Sequence, residues 1–142
     1  MPNQILTGNE KIDKYLKQNI NAHSNVGFDL FLNYVIQNGA PKDIQIVFEN
    51  YFGIDHLTHH NDASIRRITA KQGYGLDILI NDNDPHTRAM VAQKNYGLNI
   101  LINDPSWIVR RAVAKQGYGL ETLIHDKDAP VRLIARNQLH LI

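Results

Sequence analysis

The sequence predicts an all-α protein: a right-handed α-solenoid of tandem 22-residue, two-helix repeats behind an N-terminal helical cap. Three observations predict it. Lys71-Gln72-Gly73-Tyr74-Gly75-Leu76 returns intact as Lys115-Gln116-Gly117-Tyr118-Gly119-Leu120, with Lys94-Asn95-Tyr96-Gly97-Leu98 between them. Single residues recur at the same 22-residue step: Arg66, Arg88, Arg110 and Arg132; Leu79, Leu101 and Leu123; Asp82, Asp104 and Asp126. Helix start and stop signals recur with them. A unit this short cannot bury its apolar face alone, so stacking of neighbours must supply the core.

Residues 1–39 read as the cap. Thr7 and Glu10 have capping-box spacing ahead of a helix near residues 9–19. Ser24 or Asn25 would cap a second helix running to about Gln37, which Gly39 ends. Pro41 opens the next helix and Gly53 closes it. Residues 40–61 are a degenerate first repeat, because Phe52-Gly53-Ile54-Asp55 falls on Tyr74-Gly75-Leu76-Asp77. Repeats then run 62–83, 84–105 and 106–127, with a truncated unit at 128–142.

Within a repeat, Asp62, Asp84, Ser106 and Asp128 occupy N-cap positions, where a side-chain oxygen meets free backbone N–H groups. Ile65 and Ile68, then Val91, Val109 and Val113, form the inward stripe. Ala70, Ala92 and Ala114 form a small-residue column that lets helices approach closely. Gly73 and Gly117 stop the first helix, since glycine enters the left-handed region without a Cβ penalty. Leu76, Leu79 and Ile80 make a second helix of one to two turns. Asp77 and Glu121 lie in the first turn of such helices, where negative charge suits the dipole.

Composition narrows the chemistry. The formal net charge is +1, so no strong field draws nucleic acid or anionic membrane. There is no cysteine, which excludes disulfides, thiolate metal sites and a cysteine nucleophile. Residues 1–25 carry Lys and Asp throughout, unlike a signal peptide, and no run approaches the roughly 20 apolar residues of a membrane span. A soluble, cytoplasmic protein is the expectation.

Asn103-Asp104-Pro105-Ser106-Trp107-Ile108-Val109-Arg110-Arg111-Ala112-Val113-Ala114 resembles the leucine-rich repeat variant motif, in which an Asp-Pro-x-Trp-x-Val-Arg-x-Ala-Val-Ala run precedes a short turn and a leucine-bearing helix. It is also similar to HEAT-type repeats, with an Asp near the helix start and an Arg inside it. The resemblance covers about residues 50–142 and implies a helical solenoid. The sequence departs from the variant family in its shorter repeat, with Gly-Tyr-Gly where prolines are usual. It also lacks the cysteines that hold an iron–sulfur cluster in a founding member, so no cluster or other cofactor is implied.

The arginine column is the most regular polar feature. Arg66, Arg88 and Arg132 follow Asp62, Asp84 and Asp128 by four residues, which allows pairing within a helix. The Asp82, Asp104 and Asp126 column offers bridges between neighbouring units instead. Either way a structural Asp–Arg ladder including Arg110 is expected, as in HEAT repeats. Arg67, Lys71, Arg111 and Lys115, with Lys94 between, share the outer face of the first helices and are the candidate binding residues. Residues 62–142 hold 11 Lys+Arg against 8 Asp+Glu, and residues 1–61 hold 4 against 6. Tyr74, Tyr96 and Tyr118 are expected to pack between units, and Trp107 against the next helix start. Leu139, Leu141 and Ile142 would either pack on the preceding unit or leave an apolar end that dimerises. His56, His59 and His60 are the one ligand-like cluster, but without His-Glu-x-x-His spacing no metal site is expected. No catalytic motif appears. The expectation is therefore a non-catalytic protein-binding module, an adaptor or inhibitor. The alternative is a nucleic-acid-binding or DNA-repair-type solenoid reading phosphates with Arg67, Lys71, Arg111 and Lys115.

Overall fold

In a computed structural model the protein is all-α. Residues 6–19, 25–51 and 53–140 are described, and among them there are eleven helices and no strand. The chain divides into two compact units, Met1–Gly53 and Ile54–Ile142.

The first unit contains α1 (Glu10–Asn19), α2 (Asn25–Asn38) and α3 (Pro41–Tyr51). Ile12, Phe31, Leu32, Val35, Ile44, Val47 and Phe48 are buried here. The start of α1 differs from a Thr7–Glu10 capping box. Asn9 Oδ1 accepts from the Lys11 and Ile12 amides. It is Asp13 that reaches back, accepting from the Thr7 amide at 2.7 Å, the Thr7 hydroxyl at 2.8 Å and the Gly8 amide at 3.0 Å. Asp43 plays the same part for α3, taking the Ala40 amide at 2.8 Å. Ser24 lies outside the described residues, as do Leu141 and Ile142.

The second unit alternates short and long helices. The short ones are α4 (Ile54–Thr58), α6 (Leu76–Leu79), α8 (Leu98–Leu101) and α10 (Leu120–Leu123). The long ones are α5 (Ala63–Lys71), α7 (Pro85–Gln93), α9 (Trp107–Lys115) and α11 (Ala129–Gln138). Like helices start 22 residues apart, and each long helix packs on the next long helix. The core is built from matching columns. Leu57, Leu79, Leu101 and Leu123 are buried on the short helices; Ile65, Thr87, Val109 and Val131 are buried early in the long ones. Ala70, Ala92 and Ala114 have no exposed surface, so one helix backbone lies close to the next.

Three of the four long helices, α5, α7 and α9, end in the same way. The amides of Tyr74, Tyr96 and Tyr118 donate to the carbonyls of Thr69, Val91 and Val113, five residues back, closing the last turn. That geometry needs a left-handed residue, and Gly73 (φ 86°), Asn95 (φ 57°) and Gly117 (φ 77°) supply it. A second left-handed residue, Gly75, Gly97 or Gly119, precedes α6, α8 and α10. A Cβ on Gly75, Gly97 or Gly119 would lie 2.2 Å from Thr58 Cγ2, Ile80 Cδ1 or Ile102 Cδ1. These glycines both turn the chain and admit the preceding short helix.

Candidate functional site: the arginine ladder and the outer face

The long helices set their arginines at one place on one face, and the loops after the short helices set aspartates opposite. Arg66 Nε donates to Asp82 Oδ2 at 2.7 Å and its Nη2 to Asp82 Oδ1 at 3.2 Å. Arg88 holds Asp104 with the same two atoms at 2.8 and 3.0 Å. Arg110 holds Asp126 at 2.7 and 3.1 Å. These forked pairs join residues 16 apart, across consecutive helix pairs. The third nitrogen, Nη1, turns back to a loop carbonyl: His60 O at 2.6 Å, Asp82 O at 2.7 Å and Asp104 O at 2.7 Å. The aspartates are held from behind as well, since Asp82, Asp104 and Asp126 each accept from the amide two residues on.

The forked pairs of this column therefore run to the bridging aspartates, not to the N-cap aspartate four residues earlier. Asp62 accepts from the Ser64 amide at 2.9 Å, and Asp84 accepts from the Thr87 amide and hydroxyl. Ser106 and Asp128 make no side-chain cap bond. Asp128 instead meets Arg110 Nη2 at 2.5 Å, from the helix pair ahead of it. The physical reason is reach. Asp62 and Asp84 are already engaged by amides at the start of their own helices, whereas the loop aspartate of the next pair comes within hydrogen-bond reach of both Nε and Nη2. Arg132 keeps the backbone anchor, donating from Nη1 to Asp126 O at 2.7 Å and Lys127 O at 2.9 Å. Its Nε and Nη2 have no partner among the described residues.

Charge state follows from these contacts. Hydrogen bonding to their aspartates raises Arg66, Arg67, Arg88 and Arg110 above the ordinary guanidinium range, against the opposing effect of burial. Burial by itself would push the Asp84 carboxyl up, but Arg67 and Thr87 outweigh it and hold it well below the usual carboxylate range. The Arg110 hydrogen bond holds Asp126 down in the same sense.

The outer basic face is less continuous than its sequence spacing suggests. Arg67 Nε donates to Asp84 Oδ2 at 2.7 Å and Nη2 to Asp84 Oδ1 at 3.2 Å, so this charge is neutralised inside the array. Sequence reasoning missed the pair, although a signal exists. Arg66-Arg67 is followed by Asp82 and Asp84, and Arg110-Arg111 by Asp126 and Asp128. Arg88-Ala89 is followed by Asp104 and Ser106, with no second acid. Lys71, Lys94 and Lys115 are exposed and, with the half-buried Arg111, form no ion pair among the described residues. Tyr96 and Tyr118 stand 40% exposed and Trp107 41% exposed, more open than packing between units would leave them. The rings of His56 and His60 meet edge to face at 5.6 Å between centroids. Among the described residues no three His, Asp or Glu side chains gather as a metal site would require. No described helix is long and apolar enough to cross a membrane.

No family model, curated protein or solved structure matches the chain.

Proposed function

We infer that residues 54–142 form a short right-handed α-solenoid of 22-residue repeats, akin to the variant and HEAT-type families, whose exterior binds another protein as an adaptor or inhibitor. The observation that carries this reading is the division among the cations. Arg66, Arg67, Arg88 and Arg110 are consumed in holding helix pairs together. Lys71, Lys94, Arg111 and Lys115 form no ion pair among the described residues, and Arg111 and Lys115 share α9 with a large exposed aromatic, Trp107. A repeated scaffold with adaptable cations and isolated apolar side chains outside suits recognition of another protein surface.

Loss of Arg67 to Asp84 weakens the nucleic-acid alternative. A phosphate-reading stripe needs cations in succession, whereas here Ala89 and Gln93 interrupt it and the exposed Asp77 and Glu121 lie nearby in sequence. Fluorescence anisotropy with single- and double-stranded oligonucleotides at about 0.15 M salt tests the choice. We expect no submicromolar binding. Submicromolar binding that disappears on reversing charge at Lys71, Lys94, Arg111 and Lys115 would make the nucleic-acid reading the leading one.

A further inference from the structure

We propose that the turns at the ends of α5, α7 and α9 form one rim that docks an extended acidic segment of a partner protein, its carboxylates meeting Lys71, Lys94 and Lys115 in turn and its neutral residues lying over Tyr96 and Tyr118. This deepens the protein-binding reading above and rests on it.

The turns share one composition. Each carries a lysine beside a glutamine, as Lys71-Gln72, Gln93-Lys94 and Lys115-Gln116, then a left-handed residue, then a member of the tyrosine column. Stacking brings these turns together. α5 packs on α7 and α7 on α9, so successive turns stand about 8–10 Å apart, the usual distance between packed helix axes. Lys94 Cε lies 3.6 Å from where a Cβ on Gly73 would stand, so its stem reaches onto the turn before it. All three lysines are exposed and form no ion pair among the described residues. The side chains of Gln72, Gln93 and Gln116 make no hydrogen bond among the described residues. Tyr96 and Tyr118 are open beside them. A lysine near a helix end answers the dipole of that helix, but the dipole asks for no open ring and no unengaged amide next to it.

The spacing selects an extended chain. A segment of the polyproline II type has three residues per turn and rises about 3.1 Å per residue, so every third side chain falls on one face about 9 Å from the last. Carboxylates at every third position therefore meet successive lysines. The glutamine amides both donate and accept, which suits the peptide backbone between those acids.

A single-stranded nucleic acid fits poorly. It carries a charge on every nucleotide, whereas the rim offers one cation per repeat, and the exposed Asp77 and Glu121 follow Tyr74 and Tyr118 by three residues. A second copy fits poorly too, because no stretch of residues 1–142 carries three acids at three-residue steps.

The probe is a fluorescein-labelled peptide of repeated Asp-Pro-Ser triplets, titrated with the full-length protein and read by fluorescence anisotropy at about 0.15 M salt. One control peptide has Asn for Asp, and a second gathers the same Asp residues into one block. The triplet peptide should bind saturably and both controls more weakly. Lys71→Gln, Lys94→Gln and Lys115→Gln combined should weaken binding about tenfold, as three exposed pairs would together. Tyr96→Ala should weaken it about threefold. Arg111→Gln with Lys127→Gln, which removes charge away from the rim, should leave affinity within about twofold. The three lysines are exposed, so their replacement leaves the helical circular-dichroism signal intact and separates binding from folding. No saturable binding, equal affinity for either control peptide, unchanged affinity in the lysine variant, or an equal loss in the Arg111 and Lys127 variant overturns the proposal. A protein captured from nuclease-treated host extract equally by wild type and the lysine variant would overturn the rim and leave the protein-binding reading standing. Submicromolar oligonucleotide binding would remove both.

Discussion

Arg110 donates all five of its N–H groups: two to Asp126, one to Asp128 and two to the carbonyls of Asp104 and Pro105. Its side chain is only 7% exposed, so truncation would leave buried carboxylate and carbonyl groups without donors. Arg110→Ala should therefore lower stability by about 3–5 kcal/mol, the cost of breaking a buried pair from one side. Arg111→Ala, which removes no ion pair, should stay within about 0.5 kcal/mol. Urea midpoints measure both, and equal midpoints would argue that the ladder contributes nothing. The aspartates make stability depend on acid. Arg110 holds Asp126 below its ordinary value, and Arg67 and Thr87 do so for Asp84 against the effect of burial. Between the unfolded value of about 3.9 and the lower folded value, the unfolded chain binds more protons. Their contribution is thus complete above the unfolded value and is lost as pH falls through the folded one. In urea titrations between pH 6 and 2, Asp126→Asn should show a shallower acid decline than wild type; an identical slope would place the acid sensitivity elsewhere.

The helix ends discriminate between two kinds of left-handed residue. Asn95 occupies in one copy the place of Gly73 and Gly117 in the others, and a Cβ on Gly117 would meet nothing within 4 Å. Gly119 has a similar φ, but its Cβ would lie 2.2 Å from Ile102 Cδ1. Gly117→Asn should cost less than about 1 kcal/mol, while Gly119→Asn adds displacement of a packed side chain and should cost about 1–3 kcal/mol more. Comparable thermal midpoints for the two variants would contradict this account of the turn. The helices themselves were legible because caps, stripe and stop recur in phase: α5, α7 and α9 begin one residue after Asp62, Asp84 and Ser106 and end before the expected glycine or its Asn95 counterpart. Ladder partners were less legible. Sequence spacing offered two partners, the acid four residues earlier and the loop aspartate of the next unit, and could not choose between them, because the loop aspartate comes opposite only when helices stack. The close approach at Gly75, Gly97 and Gly119 was hidden for the same reason, since it depends on a side chain one period earlier.

At the scale of the molecule, four short-long helix pairs span residues 54–138, and long helix packs on long helix from one pair to the next. Far-ultraviolet circular dichroism of the intact chain should be strongly helical; a dominant sheet signal would end this description. The ladder's constant reach also bears on how such a chain can change length. Arg66, Arg88 and Arg110 each find an aspartate 16 residues on. Excising residues 98–119 would place Asp126 at that distance from Arg88, and Arg66 and Arg67 would keep Asp82 and Asp84. A cut of any other length would strand a guanidinium opposite the wrong loop. Loss or duplication of whole 22-residue periods within residues 54–138 would therefore leave the remaining ladder pairs in register, whereas a partial period would not.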